Sequence, residues 1–272
     1  MTKRTFGMTK GAFGMTEGTF GMTKTVIDEK KFNRIFSTTL LTAMVVVIAI
    51  TTAFKLQQPG ARTAMLLIAA FGSVMGVAST VLSANGLIWT FLFGLLDVTL
   101  GCIVAYDNGL WGNFALHAFY FLPMQFVGIW QWRKRGASGA KTEVKARRLT
   151  GYQRAGVAVA IATLLAASYA VLLLIKGRTM DPEEINRTQV FFDAAVFTFN
   201  IAGQILMSLA YFEQWIVWNL VNIFSILLWG STMLSSDASS YTVVMFIKYC
   251  FYLLNSLNGL RIWYRLSRPE TP

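Results

Sequence analysis

Charged side chains are scarce in this sequence: they make up 14% of its 272 residues, whereas 55% of the residues are hydrophobic. A soluble domain carries about 25% charged residues on average, so there are too few here to cover a surface that faces water. Hydrophobicity this high also excludes a disordered chain. The composition therefore predicts an integral membrane protein embedded in a lipid bilayer.

Residues that support catalysis or metal binding are equally few. His117 is the only histidine, which excludes a site with several histidine ligands, and the sequence has no GxxxxGK[ST] loop for a nucleotide. His117 itself is interpreted as a hydrogen-bonding group between helices. Cys102 and Cys250 lie inside apolar runs, where a free thiol usually acts as a small packing residue. We therefore predict that the protein is not an enzyme and has no catalytic residues, metal or cofactor.

Long apolar segments account for most of the chain. Eight of them have roughly the 20 residues that a helix needs to cross about 30 Å of hydrocarbon. The segments are continuous, whereas membrane strands would be shorter and alternating, so helices are predicted. The fold class is therefore all-α integral membrane. The eight predicted transmembrane helices cover residues 36–54, 63–83, 87–106, 110–131, 152–175, 189–211, 214–233 and 240–263.

The positive charges indicate the orientation of these helices. The net charge is +11, but the basic residues lie between apolar segments rather than along a face that could follow phosphates, so no nucleic-acid partner is expected. If the N-terminus is cytoplasmic, the inside regions hold 18 Lys and Arg and the outside loops hold five. Cytoplasmic loops carry such an excess in membrane proteins, so both termini are predicted to be cytoplasmic.

The first 24 residues repeat a heptapeptide: MTKRTFG, MTKGAFG, MTEGTFG and then MTK. Each repeat holds one phenylalanine and ends in glycine, whereas a coiled coil needs two apolar positions per heptad and no such glycines. Residues 1–35 are therefore predicted to be a flexible cytoplasmic tail.

The fourth and eighth segments end alike. Gly128 and Trp132 in one match Gly259 and Trp263 in the other, and an arginine follows each pair. These residues are interpreted as a packing glycine, an interfacial aromatic anchor and a cytoplasmic cation. The match suggests two parallel copies of a three-helix unit with one helix between them. The predicted parts are an extra N-terminal helix and loop (36–62), the first repeat (63–132), a basic loop and linker helix (133–176), the second repeat (177–265) and a C-terminal tail (266–272).

Amide side chains lie inside several predicted spans, where each must be satisfied within the protein or face a water-filled cavity. Together they suit a neutral, hydrogen-bonding part of a ligand. The alternative is that they only join helices, at about 0.6 kcal/mol per bond. The candidate binding amides are Gln125, Asn200, Gln204, Asn222 and Asn255.

Trp215, Trp218 and Asn222 fall within about 60° of arc on one helix face. Indoles bind flat aromatic ligands, and they bind cationic ones more tightly. An aromatic belt at the membrane interface would also account for Trp215, but it does not explain Asn222. All three are candidate substrate-binding residues.

The motif WxxWxxxN at 215–222 resembles the signature of the PnuC-type nicotinamide riboside transporters. The stretches FFDAAVFTFNIAGQILMSLAYFEQW, GLRIWYR and FGLLDVTLGCIVAYDNGLWGNFALHAFYFLPMQFVGIWQWRKR resemble the same family, so the likeness covers roughly residues 63–265. The resemblance implies a 3+1+3 core related to the SWEET sugar carriers, a homotrimer and a bacterial inner membrane. It also implies facilitated uptake of nicotinamide riboside, an NAD precursor, linked to a cytoplasmic riboside kinase.

Other functions are compatible with the same pattern. A related carrier could take thiamine, riboflavin or a deoxynucleoside, and a receptor or channel could contain the same aromatic pocket. A channel is expected to show rings of charge or a hydrophobic gate, which this sequence lacks.

Two carboxylates and one lysine lie within the predicted spans. Asp193 and Lys248 are predicted to form an ion pair, since they lie at similar depth on two helices of one repeat. Asp97 has no partner that the sequence identifies. It is interpreted as a structurally paired or hydrogen-bonding residue of the pathway, with a proton site as the alternative.

Overall fold

The structure of the protein, a computed structural model, describes the backbone of residues 14–60, 62–107, 111–139, 142–178, 181, 183–234 and 240–268. Within these ranges side chains are described from residue 29 onward, apart from 111–113 and 240–244.

Helices make up nearly all of the described chain, which confirms the prediction of an all-α fold. The described residues form no strand, and they contain two isolated bridges that involve the loop after residue 134. The elements are α1 (Gly14–Leu56), α2 (Thr63–Ala84), α3 (Thr90–Asp107), α4 (Trp111–Leu116), a π-helical turn (His117–Phe121), α5 (Leu122–Lys134), α6 (Gly151–Lys176), α7 (Arg187–Ser208), α8 (Gln214–Met233) and α9 (Ser240–Leu266).

Six helices in the described chain are long and apolar enough to span a membrane. They are Glu29–Leu56 within α1, and the helices α2, α3, α6, α7 and α8. Each corresponds to one of the predicted segments. The two remaining predicted segments are occupied by α4 to α5 and by α9. The multi-pass membrane fold is confirmed, and the total of eight spans stays a prediction.

The chain divides into two compact units, Met1–Leu40 and Leu41–Pro272. In the first unit the described residues are helical from Gly14, and the flexible cytoplasmic tail over 1–35 stays a prediction. No proline precedes Pro59, and extending an existing helix costs much less than starting a new one. The repeat glycines after residue 14 therefore do not stop α1. The earlier repeats lie outside the described residues.

The second unit contains two matching groups of helices. In one group α2 packs against α3 and α3 against α5, and in the other α7 packs against α8 and α8 against α9. The groups meet where α2 contacts α9 and where α5 contacts α7. The first helix of each group thus contacts the last helix of the other, while α6 packs against α7.

Two tryptophans make equivalent hydrogen bonds between the groups. The indole Nε1 of Trp132 donates to the carbonyl of Met207 at 2.8 Å, and that of Trp263 donates to the carbonyl of Ser83 at 2.9 Å. Both side chains are completely buried, so their prediction as interfacial anchors is wrong. Carbonyls in the last turn of a helix have no N–H partner within that helix. Here the carbonyls of Met207 and Ser83 accept from the two indoles, which allows these side chains to be buried.

Trp130, on the same helix as Trp132, has the exposure expected of an interfacial anchor. Its side chain is 55% exposed, and Lys134 Nζ lies 3.5 Å from the centre of its ring. An exposed indole beside a cation is typical of a membrane interface.

The basic loop between α5 and α6 is folded against the helix ends. Val144 N–H donates to Gly86 O at 2.9 Å, and Arg147 N–H donates to Ala210 O at 3.0 Å. Gly86 and Ala210 follow the ends of α2 and α7 with φ of 69° and 58°, the left-handed conformation that commonly closes a helix. The side chain of Val144 is also buried in the protein. The loop therefore joins both helix groups in addition to carrying positive charge.

Candidate functional site

A cavity of about 270 Å³ lies between the two helix groups. It is lined by side chains from α2, α3, the π-helical turn, α5, α7, α8 and α9. The structure brings all seven predicted site residues together in its wall: Gln125, Asn200, Gln204, Trp215, Trp218, Asn222 and Asn255.

One wall is built by the Trp-Trp-Asn face of α8. The ring of Trp215 packs where Gly259 has no side chain, since a Cβ there would lie 2.5 Å from its Cε3 atom. Trp218 lies in the same way against Gly203, where a Cβ would lie 3.1 Å from the indole. Trp215 is 3% exposed, which is inconsistent with a belt residue that faces lipid. Its buried Nε1 has no hydrogen-bond partner among the described residues.

The amides of the cavity wall direct their NH₂ groups into the protein. Five hydrogen bonds use an amide NH₂ group as donor. They run from Gln125 to Phe121 O (3.4 Å), Asn200 to Val196 O (2.8 Å), Gln204 to Ser208 Oγ (3.2 Å), Asn222 to Ser256 Oγ (3.1 Å) and Asn255 to Thr80 O (3.1 Å). The bonds of Asn222 and Asn255 join two helices, whereas those of the other three amides stay within their own helical segment. All five amides line the cavity, and their role in binding stays a prediction. Each of these bonds uses one of the two N–H donors of the amide, so the carbonyl oxygen can still act as an acceptor. Gln125 Oε1 is buried with no partner among the described residues.

The two helix groups supply different side chains at matching places. α3 presents Phe91, Gly94 and Val98 at the spacing that α8 uses for Trp-Trp-Asn. Phe91 packs edge-on against Trp132, with ring centroids 4.9 Å apart, much as Trp215 packs near Trp263. At Gly94, however, no side chain projects. A Cβ there would lie 2.5 Å from Gln125 Oε1, so the glycine leaves room for that amide.

The charged residues pair differently from the prediction. Asp97 lines the cavity and interacts electrostatically with Lys248. Asp193 interacts instead with Lys176, at the end of α6. The predicted Asp193–Lys248 pair is therefore wrong, and the partner of Asp97 that the sequence did not identify is Lys248. Depth along a helix can be counted from sequence, whereas the neighbour across a helix interface depends on rotation and packing.

Several lining residues were missed as site residues. Tyr249 and Tyr252 line the cavity beside Asn255, and one helical turn separates Tyr252 from Asn255 and Ser256. The spacing around Asn255 on α9 was the signal that could have identified them. His117 also lines the cavity, and it begins the π-helical turn, a feature that often occurs at functional sites.

A buried cluster of aromatic side chains borders the cavity. Trp215 belongs both to the cavity wall and to a buried cluster with Phe91, Trp132 and Trp263. The loop residue Val144 packs into the same cluster. These buried rings therefore connect the cavity wall to the loop between α5 and α6.

Comparisons with known proteins agree with this arrangement. Residues 66–265 match the family model described as nicotinamide mononucleotide transporter. The chain is similar to the nicotinamide riboside transporter PnuC of Neisseria mucosa, with 33% identity over 204 residues that cover 74% of this chain and 73% of that protein. It is also similar to the nicotinamide riboside transporter PnuC of Haemophilus influenzae, with 28% identity over 74% of this chain and 80% of that protein. The crystal structure of the vitamin B3 transporter PnuC has a TM-score of 0.61 and 28% identity to this chain, covering 85% of this chain and 91% of that one.

Proposed function

Because the chain belongs to the nicotinamide mononucleotide transporter family, and is thus a transporter rather than an enzyme, we propose that it carries nicotinamide riboside across a membrane. The observation that supports this ligand is the cavity that joins Trp215, Trp218 and Asn222 with four further amides. Nicotinamide riboside combines a flat pyridinium ring with a carboxamide and ribose hydroxyls. Indole faces attract such a ring by cation–π interaction, which contributes about 1–2 kcal/mol when desolvated.

The hydrogen-bonding character of the wall favours the amide form of the vitamin. The wall amides offer carbonyl oxygens, and Gln125 Oε1 is buried without a partner in the described chain. These acceptors match the NH₂ group of a carboxamide and the ribose hydroxyls. A carboxylate, as in nicotinic acid riboside, has acceptors only and would leave the wall oxygens unsatisfied, which is costly in a buried site.

A second candidate ligand is the mononucleotide, which the family's description names. It differs from the riboside by a phosphate group. Proteins bind phosphate with arginine, lysine or helix N-termini, whereas the described residues that line this cavity include no lysine or arginine and do include Asp97. The riboside therefore fits better.

Transport by alternating access is consistent with the two helix groups. We interpret α2 to α5 and α7 to α9 as parallel repeats of a SWEET-like 3+1+3 core, because Trp132 and Trp263 make equivalent bonds across the interface. In this proposal the helix groups alternate between opening the cavity on the side of the aromatic cluster, toward the cytoplasm, and opening it on the opposite side. Eight spans, both termini inside a bacterial inner membrane and a homotrimer complete the proposed assembly. Flux is facilitated diffusion, and a cytoplasmic riboside kinase traps the product.

Equilibrium binding to the purified protein tests the ligand. Nicotinamide riboside, nicotinic acid riboside, the mononucleotide, thiamine, riboflavin and a deoxynucleoside are compared by calorimetry in detergent. We expect nicotinamide riboside to bind most tightly, by about tenfold or more over the two acidic analogues, since each would bring an uncompensated negative charge into the cavity.

Equal or tighter binding of thiamine or riboflavin would show that the chain carries a different vitamin. Uptake into vesicles separates a carrier from a receptor with the same pocket. A receptor would bind the riboside but would not accumulate it in the vesicle lumen.

A further inference from the structure

The cavity contains an uneven distribution of charge. Among the described residues of its wall, Asp97 is the one carboxylate, and no lysine or arginine accompanies it. Its carboxylate lies against the backbone of Gly76, where a Cβ would come within 2.8 Å of the Cγ atom. The glycine thus leaves the space that the carboxylate occupies. At the corresponding place on α8, one residue before Asn222, the chain has the apolar Val221.

The balancing positive charge is on the other side of the helix interface. Lys248 on α9 lines a larger groove of about 820 Å³ that α1, α2 and α9 border, rather than the cavity itself. From there it interacts electrostatically with Asp97 and lies 5.3 Å from the ring centre of Tyr252. The two interacting charges therefore border different spaces, the carboxylate in the cavity and the lysine at the groove.

We propose that Asp97 makes the cavity selective for a positively charged ligand, and that Lys248 is the counter-ion that balances it when the cavity is empty. This inference rests on the proposed function, because it assigns the group that recognises the charge of the pyridinium. Bound nicotinamide riboside would share the carboxylate with Lys248. The flexible four-carbon stem of the lysine allows its charge to move toward the groove as the ligand enters.

Charge recognition is separable from shape recognition. The indoles of Trp215 and Trp218 recognise a flat ring, and the amide oxygens recognise hydrogen-bond donors. A neutral ligand of the same shape would satisfy most of these contacts but would gain nothing from the carboxylate. In a site shielded from water, a single charge a few ångströms away changes affinity by about tenfold or more.

The test compares nicotinamide riboside with its reduced dihydro form, which has the same outline but a neutral ring. Both are bound to the purified full-length protein at about pH 8, well above the ordinary pKa range of carboxyl groups. We expect the wild type to prefer the cation. Asp97→Asn should lower the ratio of the two affinities by about tenfold. Lys248→Met should maintain or raise this ratio, since it removes the competing positive charge.

Asp193→Asn is the matched control, because Asp193 interacts with Lys176 and does not line the cavity. We expect it to leave the ratio unchanged. Both ligands are measured on the same sample, so a change in the folded fraction cancels from the ratio of the two affinities. The inference is overturned if Asp97→Asn weakens both ligands by the same factor, or if it abolishes all binding while Lys248→Met lowers the ratio. If the wild type binds neither ligand, the proposed function itself has failed.

Discussion

Trp218 and Gly94 illustrate how single residues give the two walls of the cavity different chemistry, although the helix groups that form the walls match. They lie at matching places on α8 and α3, and both border the cavity. The indole fills one side and the glycine leaves the other side open for the Gln125 amide. The two helix groups need only well-packed interfaces, whereas the binding site needs different side chains on the two walls of the cavity. Ligand recognition therefore depends on the residues in which the two groups differ.

Alanine substitution tests the binding role of the motif on α8. Trp215→Ala, Trp218→Ala and Asn222→Ala should each weaken binding of nicotinamide riboside, by about tenfold or more for the indoles, because cation–π contact is lost. Trp229→Ala is the control, since Trp229 is on the same helix but does not line the cavity. Calorimetry on the four variants measures the effect. Similar losses in all four would indicate impaired folding instead of a binding motif.

Gly259 tests whether the position of Trp215 matters. Gly259→Ala places a Cβ 2.5 Å from the indole Cε3 atom, so the ring must move. Overpacking of this kind usually costs 1–3 kcal/mol, and we expect the affinity for the riboside to fall by about tenfold. Gly230→Ala is the control, because its Cβ would lie at an ordinary 3.5 Å from Phe246. Unchanged affinity in Gly259→Ala would contradict the importance of this packing.

At the scale of elements, the segment between α5 and α6 links parts that are distant in sequence. Glu213, at the start of α8, is buried and accepts hydrogen bonds from Leu149 N–H at 3.1 Å and from Arg154 Nε at 3.1 Å. Thr150 and Gln153 form a capping box that begins α6 beside it. The loop, α6 and α8 are therefore joined at one buried carboxylate, next to the helix that carries the tryptophans.

Removal of this carboxylate should destabilise the protein. Glu213→Ala leaves the buried Leu149 N–H without its acceptor, at a cost of about 1–3 kcal/mol. We expect the melting temperature in detergent to fall by about 2–10 °C. Glu143→Ala provides the comparison, because Glu143 lies in the same loop and is exposed. An equal effect of the two substitutions would show that the buried contact has no special role.

At the scale of the whole molecule, topology follows from the placement of charge. Reporters that are active only in the cytoplasm, fused in turn to the N-terminus and to the C-terminus, should both give signal. The basis is the excess of Lys and Arg in the predicted inside regions. A terminus that reads as external would mean that the number of spans is odd or that α1 does not cross.

The energetics of transport is also a property of the whole molecule. The proposed substrate is a cation, so an inward-negative potential favours its entry by about 2.3 kcal/mol per 100 mV without a coupled ion. We expect uptake into vesicles to follow the substrate gradient with no proton or sodium gradient imposed. At saturating substrate, Asp97→Asn should retain this uptake, because the amide keeps the size and one acceptor oxygen of the carboxylate.

Uphill accumulation driven by an imposed pH step would contradict this expectation. If Asp97→Asn abolished that accumulation, Asp97 would be a site of proton coupling, and the proposal of facilitated diffusion would be wrong.

Much of this protein was determined by local sequence properties. Length and apolarity of segments specify membrane helices, because the bilayer penalises every unsatisfied backbone group. The spacing of Trp215, Trp218 and Asn222 specifies a shared face, because helix geometry is constant. The sequence therefore identified seven candidate residues that line one cavity in the structure, although it did not predict the cavity itself.

The tertiary structure decided which distant residues meet. Trp132 and Trp263 resemble interfacial anchors in sequence, but packing between the two helix groups buries them and gives their indoles carbonyl partners. Lys248 was expected to pair with Asp193, yet it interacts with Asp97. Such pairings depend on how helices rotate and dock against one another, and that orientation results from the sum of many weak contacts. The sequence determines these contacts, but their sum does not follow from residue spacing alone.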